Sequence, residues 1–163
     1  MAHDILILGL GNALHGDDGF GPRIIAELQQ TFQFDPKVRL VDGGIMGLSI
    51  LPLIEEAKAV VVVDTVVLDK EPGTLYKFPI SAIESDGEAP MNLHEMGIVE
   101  VVQILRGEGK EVPGTVIGIE PHSIIPWTTT FSPVIEEKVP EAMDMVMKEV
   151  QELGGEHSCM KLV

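Results

Sequence analysis

The sequence predicts an α/β protein: a three-layer sandwich in which a mostly parallel, twisted sheet of about five strands carries helices on both faces. Three observations support this. Short apolar runs alternate with amphipathic stretches along the chain, the pattern of repeated strand–helix units. One run, "AVVVVDTVV" at 59–67, is continuously β-branched around its aspartate, as a central strand buried on both faces would be. The chain has 163 residues, of which 45% are apolar, enough for one sizeable core in a single domain, 1–163.

The elements follow in order. "DILILGL" (4–10) reads as a first strand. "PRIIAELQQTF" (22–32) reads as a helix: Pro22 suits its first position, and Ile24, Ile25, Leu28 and Phe32 share one face. "KVRLVD" (37–42) is a second strand, and "MGLSILPLIEEA" (46–57) a helix that Pro52 kinks or bounds. The valine-rich run is the third strand. "GTLYKFP" (73–79) alternates and reads as an additional edge strand, followed by a polar, turn-rich loop over 81–90. In "NLHEMGIVEVVQILR" (92–106), Asn92 and Glu95 form a capping box ahead of the stripe Ile98, Val101, Val102 and Leu105. "GTVIGIE" (114–120) is the last strand. The final helix covers 132–153, with Pro140 as a bend and Met143, Met145 and Met147 in its core and flank. The tail from 154 to 163 is expected to be loose.

Charge narrows the function. There are 11 Lys plus Arg against 26 Asp plus Glu, a net of −15. A nucleic-acid-binding protein shows a basic stripe, and none is visible; an anionic membrane surface would repel the chain. The run 59–63 is far too short to span a bilayer. The single cysteine, Cys159, permits no internal disulfide, and the N-terminal apolar stretch has no basic region before it, so a cytoplasmic protein is expected.

The loop after the first strand, "GLGNALHGDDGFG" (9–21), invites a nucleotide reading that fails on chemistry. Gly9 and Gly11 fit a dinucleotide fingerprint, but Leu14 stands at its third glycine, and no lysine is present for a phosphate-binding P-loop. Asp17 and Asp18 would repel pyrophosphate. A different pattern emerges from the topology, because ligands of parallel sheets sit beyond the carboxyl ends of the strands. The first strand leads to Asp17 and Asp18, the second ends at Asp42 before Gly43-Gly44, and the third ends at Asp64. Clustered carboxylates repel unless a cation or shared proton offsets them. His94, near the start of its helix, adds an imidazole that the helix N-terminus favours in its neutral, metal-ligating form. These groups suit either an open site for a divalent transition metal or acid–base chemistry on water. Turn and capping roles remain open for Asp17, Asp18 and Asp42, and His122 is a reserve candidate just beyond the last strand.

Taken in order, "LGLGNALHGDDGFG", "DGGIMG" (42–47), "VVVVDTVV" (60–67), "PGTL" (72–75) and "NLHEMG" (92–97) resemble the maturation endopeptidases of nickel–iron hydrogenases. The resemblance implies the same sandwich fold. It also implies one cut near the C-terminus of the precursor of the hydrogenase large subunit, made after nickel insertion. The family's three metal-contacting positions fall on Asp18, Asp64 and His94, and Asp42 falls in a further segment implicated in function. Asp18 is one methylene shorter than the glutamate of some relatives. The nickel is expected to arrive with the substrate, with no organic cofactor, and the partner is the precursor rather than nucleic acid or membrane. A water is expected to be the nucleophile, since the lone thiol is in the tail and no serine sits in a nucleophile elbow. The competing classes are a nickel-binding chaperone that leaves the precursor intact and a small nucleotide-binding enzyme.

Overall fold

The computed structural model describes residues 3–83 and 98–159. Its main sheet contains five strands: β1 (His3–Leu10), β3 (Val38–Gly44), β4 (Ala57–Thr65), β5 (Leu75–Pro79) and β6 (Gly114–Ile119), in the order β3-β1-β4-β6-β5. β1 runs parallel to both β3 and β4, and β4 runs parallel to β6. β5 takes one edge of the sheet, as its alternating sequence suggested, and runs antiparallel to β6. The helices are α1 (Phe20–Thr31), α2 (Leu51–Glu56), α3 (Ile98–Gly107) and α4 (Pro133–Glu152). Among the described residues, no helix is long and apolar enough to cross a membrane.

Strand periodicity divides the core in two. Leu6, Leu8, Val60 and Val62 point to one face, where they meet Ile54 of α2 and Val101, Val102 and Leu105 of α3. Ile5, Ile7, Val61 and Val63 point to the other, where Ile24, Ile25 and Leu28 of α1 and Val139, Val146 and Val150 of α4 cover them. All four valines of the central run are buried, as a strand covered on both faces requires. α1 can lie this close to the sheet because Gly9 and Gly21 have no side chain. A Cβ on Gly21 would drive into the carbonyl oxygens of Leu10 and Val63, and one on Gly9 into the carbonyl of Gly21.

Two elements depart from the sequence reading. The helix expected over 46–57 is a 3-10 turn (Gly47–Ile50) followed by α2, and Pro52 sits in the first turn of α2. Proline lacks the N–H that a continuous helix would need there, so the chain restarts at the residue it tolerates. Residues 157–159 of the tail are paired. Phe32, expected to end α1, instead begins a short strand, β2 (Phe32–Phe34), which pairs antiparallel with β7 (His157–Cys159). The His157 ring stands edge-on to Phe32 with centroids 5.3 Å apart. α4 continues through Pro140, the expected site of a bend. The start of the helix containing His94, with its capping box at Asn92 and Glu95, lies outside the described residues.

α4 also carries a buried acid. Glu149 accepts a hydrogen bond from Thr115 Oγ at 2.5 Å and pairs with Lys77 Nζ at 2.8 Å. Burial pushes its carboxyl upward, but Lys77 and Thr115 together outweigh that and hold it below its ordinary 4.5. A carboxylate whose folded value is depressed stabilises the fold above its unfolded value and loses that contribution as pH falls through the folded one. Glu149→Gln should therefore melt below the wild type at pH 7. In melting scans taken below pH 4.5 the gap should shrink.

Gly21→Ala should lower unfolding stability in urea by about 3 kcal/mol or more, since backbone oxygens cannot move aside as a side chain could.

Candidate active site

The strand order places a topological switch at β1, whose neighbours β3 and β4 lie on opposite sides, so the chain turns both ways from its carboxyl end. Gly9 of β1 is level with Asp42 of β3 on one side and Val63 of β4 on the other. Asp64 is thus one step farther toward the carboxyl edge than Asp42 on the opposite neighbour of β1.

The loop that follows β1 makes a 3-10 turn (Gly16–Gly19) and delivers two aspartates inward. Asp18 is 5% exposed. Its Oδ2 accepts the backbone N–H of Asn12 at 3.1 Å, and its Oδ1 accepts Thr65 Oγ at 3.3 Å. Asp64, fully buried, accepts the Thr65 N–H at 2.7 Å. Thr65 therefore touches both carboxylates, and the first loop is fastened to the end of β4. The structure brings Asp18 and Asp64 to one place although α1, β2, β3, α2 and most of β4 separate them in sequence.

Asp42 is different. It is exposed, and its Oδ1 accepts the N–H of Gly44 at 2.9 Å, the turn chemistry that its two following glycines allowed. It borders a neighbouring cleft of about 340 Å³ with Leu14, Arg23, Thr129 and Phe131. The Arg23 charge in that cleft is taken up by Glu27 at 2.7 Å and Glu136 at 2.6 Å, and its guanidinium lies 5.4 Å from the Phe131 ring centre. His94 lies outside the described residues. Among the described residues, no three His, Cys, Asp or Glu side chains form a group that could hold a metal ion.

The sequence set Asp17 beside Asp18 among the strand-end carboxylates, with a turn or cap role left open, and the structure gives it an architectural part. It is 0% exposed, and its carboxylate accepts four hydrogen bonds from residues more than a hundred positions away. Oδ2 takes the N–H groups of His122 and Ser123 at 3.0 and 2.7 Å and the Ser132 hydroxyl at 2.8 Å. Oδ1 takes the Ser132 N–H at 2.7 Å. His122, the reserve candidate, thus meets this region through its backbone, with its ring exposed and its Nδ1 3.4 Å from Ser132 Oγ. Nothing local in the sequence marks these partners, because they lie beyond the last strand of the sheet.

Comparison with known proteins identifies the family. The family model for the HycI hydrogenase maturation protease matches residues 22–149. The chain belongs to the hydrogenase maturation protease family. The maturation protease is 32% identical to the hydrogenase expression/formation protein HupD of Rhodobacter capsulatus, over 93% of this chain and 73% of the relative. It is 31% identical to HoxM of Cupriavidus necator, over 93% of this chain and 76% of that protein. Among solved structures, the hydrogenase maturating endopeptidase HybD from E. coli superposes with a TM-score of 0.82 at 25% identity, covering 96% of this chain and 97% of that one. A hydrogenase 2 maturation peptidase from a Thaumarchaeota archaeon is 31% identical with a TM-score of 0.68, over 93% and 98% of the two chains. The protein is accordingly a hydrolase, an endopeptidase of hydrogenase maturation, and the nucleotide-binding class is set aside.

Removing the Asp17 carboxylate leaves three backbone N–H donors without their acceptor. Asp17→Ala should cost about 3 kcal/mol in urea unfolding, the upper scale for leaving hydrogen-bond donors unsatisfied, while Asp17→Asn should cost less because its amide oxygen still accepts.

Proposed function

We propose that this endopeptidase removes a C-terminal peptide from the nickel-loaded precursor of a nickel–iron hydrogenase large subunit, working in the cytoplasm. The observation that carries the reading is the Thr65 bridge, which keeps the Asp18 carboxylate beside buried Asp64 at the carboxyl edge of the sheet. Two carboxylates brought together in low dielectric attract a cation far more strongly than exposed ones do. With His94 they form an incomplete set of oxygen and nitrogen donors, and the nickel held by the substrate completes it. Asp18, Asp64 and His94 engage that nickel and so hold the adjacent peptide bond in register with the site. Asp42, exposed on the neighbouring strand, borders the adjoining cleft, where it would meet the substrate rather than the nickel.

The chemistry is attack of a water on the scissile carbonyl. One carboxylate takes the proton from the water as its oxygen bonds to the carbonyl carbon, and the proton then passes to the leaving amine. Purified protein mixed with nickel-loaded precursor should yield one shortened large subunit by mass spectrometry. Nickel-free precursor, and the Asp18→Asn, Asp64→Asn and His94→Ala variants, should slow the cut by at least about a hundredfold, the usual scale for a positioned acid–base group. An intact precursor in a stable nickel-dependent complex would instead make the protein a chaperone.

A further inference from the structure

The carboxyl edge of the sheet carries apolar side chains that the core does not use. Ile124, Ile125 and Trp127 stand exposed on the loop after β6, with Trp127 85% accessible, and Leu14 stands exposed beside Asp17 and Asp18 on the first loop. On the opposite side, Ile45, Met46 and Leu48 are exposed just after β3. Both stretches lack charge. Residues 121–135 contain no Asp, Glu, Lys or Arg, and neither do residues 43–54, in a chain that is 23% charged with a net of −15. They flank β1 and β4, the two strands that lead to Asp18 and Asp64.

The ridge after β6 is held firmly. Thr128 N–H donates to the Leu14 carbonyl at 3.0 Å, and Gly16 and Asp17 N–H groups donate to the carbonyls of Thr128 and Ser123 at 2.7 and 3.1 Å. The Asp17 carboxylate closes both ends of the loop through His122, Ser123 and Ser132. Gly16, with φ +63°, lets the two backbones touch, since a Cβ there would meet Ser123 O at 3.0 Å. Trp127 itself has φ +61°, an unfavourable backbone for an aromatic residue that leaves its ring in water. An apolar ridge that is fixed before binding loses little entropy on association.

We propose that these two uncharged ridges are the docking surface for the hydrogenase large-subunit precursor, with Trp127 and Ile125 as its anchors and an apolar segment next to the scissile bond as the part they grip. This rests on the peptidase reading of the Asp18–Asp64 site. The occupant follows from position and charge: whatever lies on the ridges is continuous with that site, and an uncharged rim on an acidic protein favours an apolar chain over a basic one. Asp17 acts as a positioning residue that locks the ridge to the loop carrying Asp18.

Steady-state cleavage of nickel-loaded precursor by Trp127→Asn and Ile125→Ser tests this. Asparagine tolerates the left-handed backbone, so the first variant keeps the loop and removes only the ring. Ile104→Ser, on α3, serves as an exposed apolar control. Both ridge variants should raise KM about tenfold with kcat within about twofold, the signature of lost uniform binding, while the control leaves KM unchanged. Unchanged KM in both ridge variants would overturn the docking surface and leave the peptidase reading standing. Absence of cutting by the wild type would remove that reading and the docking proposal with it. A wild-type dimer in sedimentation that Ile125→Ser splits would assign the ridges to a second copy, overturning the proposal.

Discussion

Three carboxylates, those of Asp17, Asp18 and Asp64, are withdrawn from water at one end of the sheet, and much of the architecture around them follows from making that tolerable. An ionised carboxylate loses several kcal/mol of hydration when buried and must recover it from donors or a counter-charge. Asp17 recovers it from four hydrogen bonds, three of them from backbone N–H groups. That requirement brings the segment from His122 to Ser132 down onto the loop after β1. Asp18 and Asp64 are served in part by Thr65, through its hydroxyl and its N–H respectively. The neighbouring aspartates thus separate in role: one is spent on architecture and the next is turned toward the end of β4.

The sheet makes this grouping possible. Parallel strands all deliver their carboxyl ends to one edge, and with β1 between β3 and β4 the loop after β1 sits over the strand end that carries Asp64. Close passage of α1 over β1 and β4, permitted by Gly9 and Gly21, sets where that loop begins its helix. Backbone spacing, rather than a local ligand motif, is what brings Asp18 to Asp64. In the proposed reading, the peptidase chemistry occupies the position at which an α/β sheet ordinarily holds a small ligand.

Much of the fold was legible because it depends on local patterning. The run of four valines gave a doubly covered strand, and the stripe Ile24, Ile25, Leu28 gave α1, since strand and helix periods are written in neighbouring residues. The interruption at Pro52 was visible, though not that the residues before it would tighten into a 3-10 turn. Pairing of β2 with β7 was not legible, because it joins Phe32 to Cys159, and each partner is only three residues long. The site divides in the same way. Asp64 stood out as a charge after a buried run, and Asp18 followed from the strand-end rule. The ties made by Asp17 and Thr65 are long-range hydrogen bonds with no sequence period to betray them. Asp42 kept its turn chemistry and an exposed side chain, beside the buried pair rather than within it.

The central claim is that Asp18 and Asp64 read the substrate's nickel as one unit. The most direct test is a double-mutant cycle on affinity, with Kd for nickel-loaded and nickel-free precursor measured for the wild type, Asp18→Asn, Asp64→Asn and the double variant. Residues that act as a unit are not additive. Either single substitution should abolish most of the preference for loaded precursor, and the double variant should lose no more than the worse single one. If the losses multiply, or if the singles keep the wild-type preference, the two carboxylates do not share the metal and this account of the site is wrong.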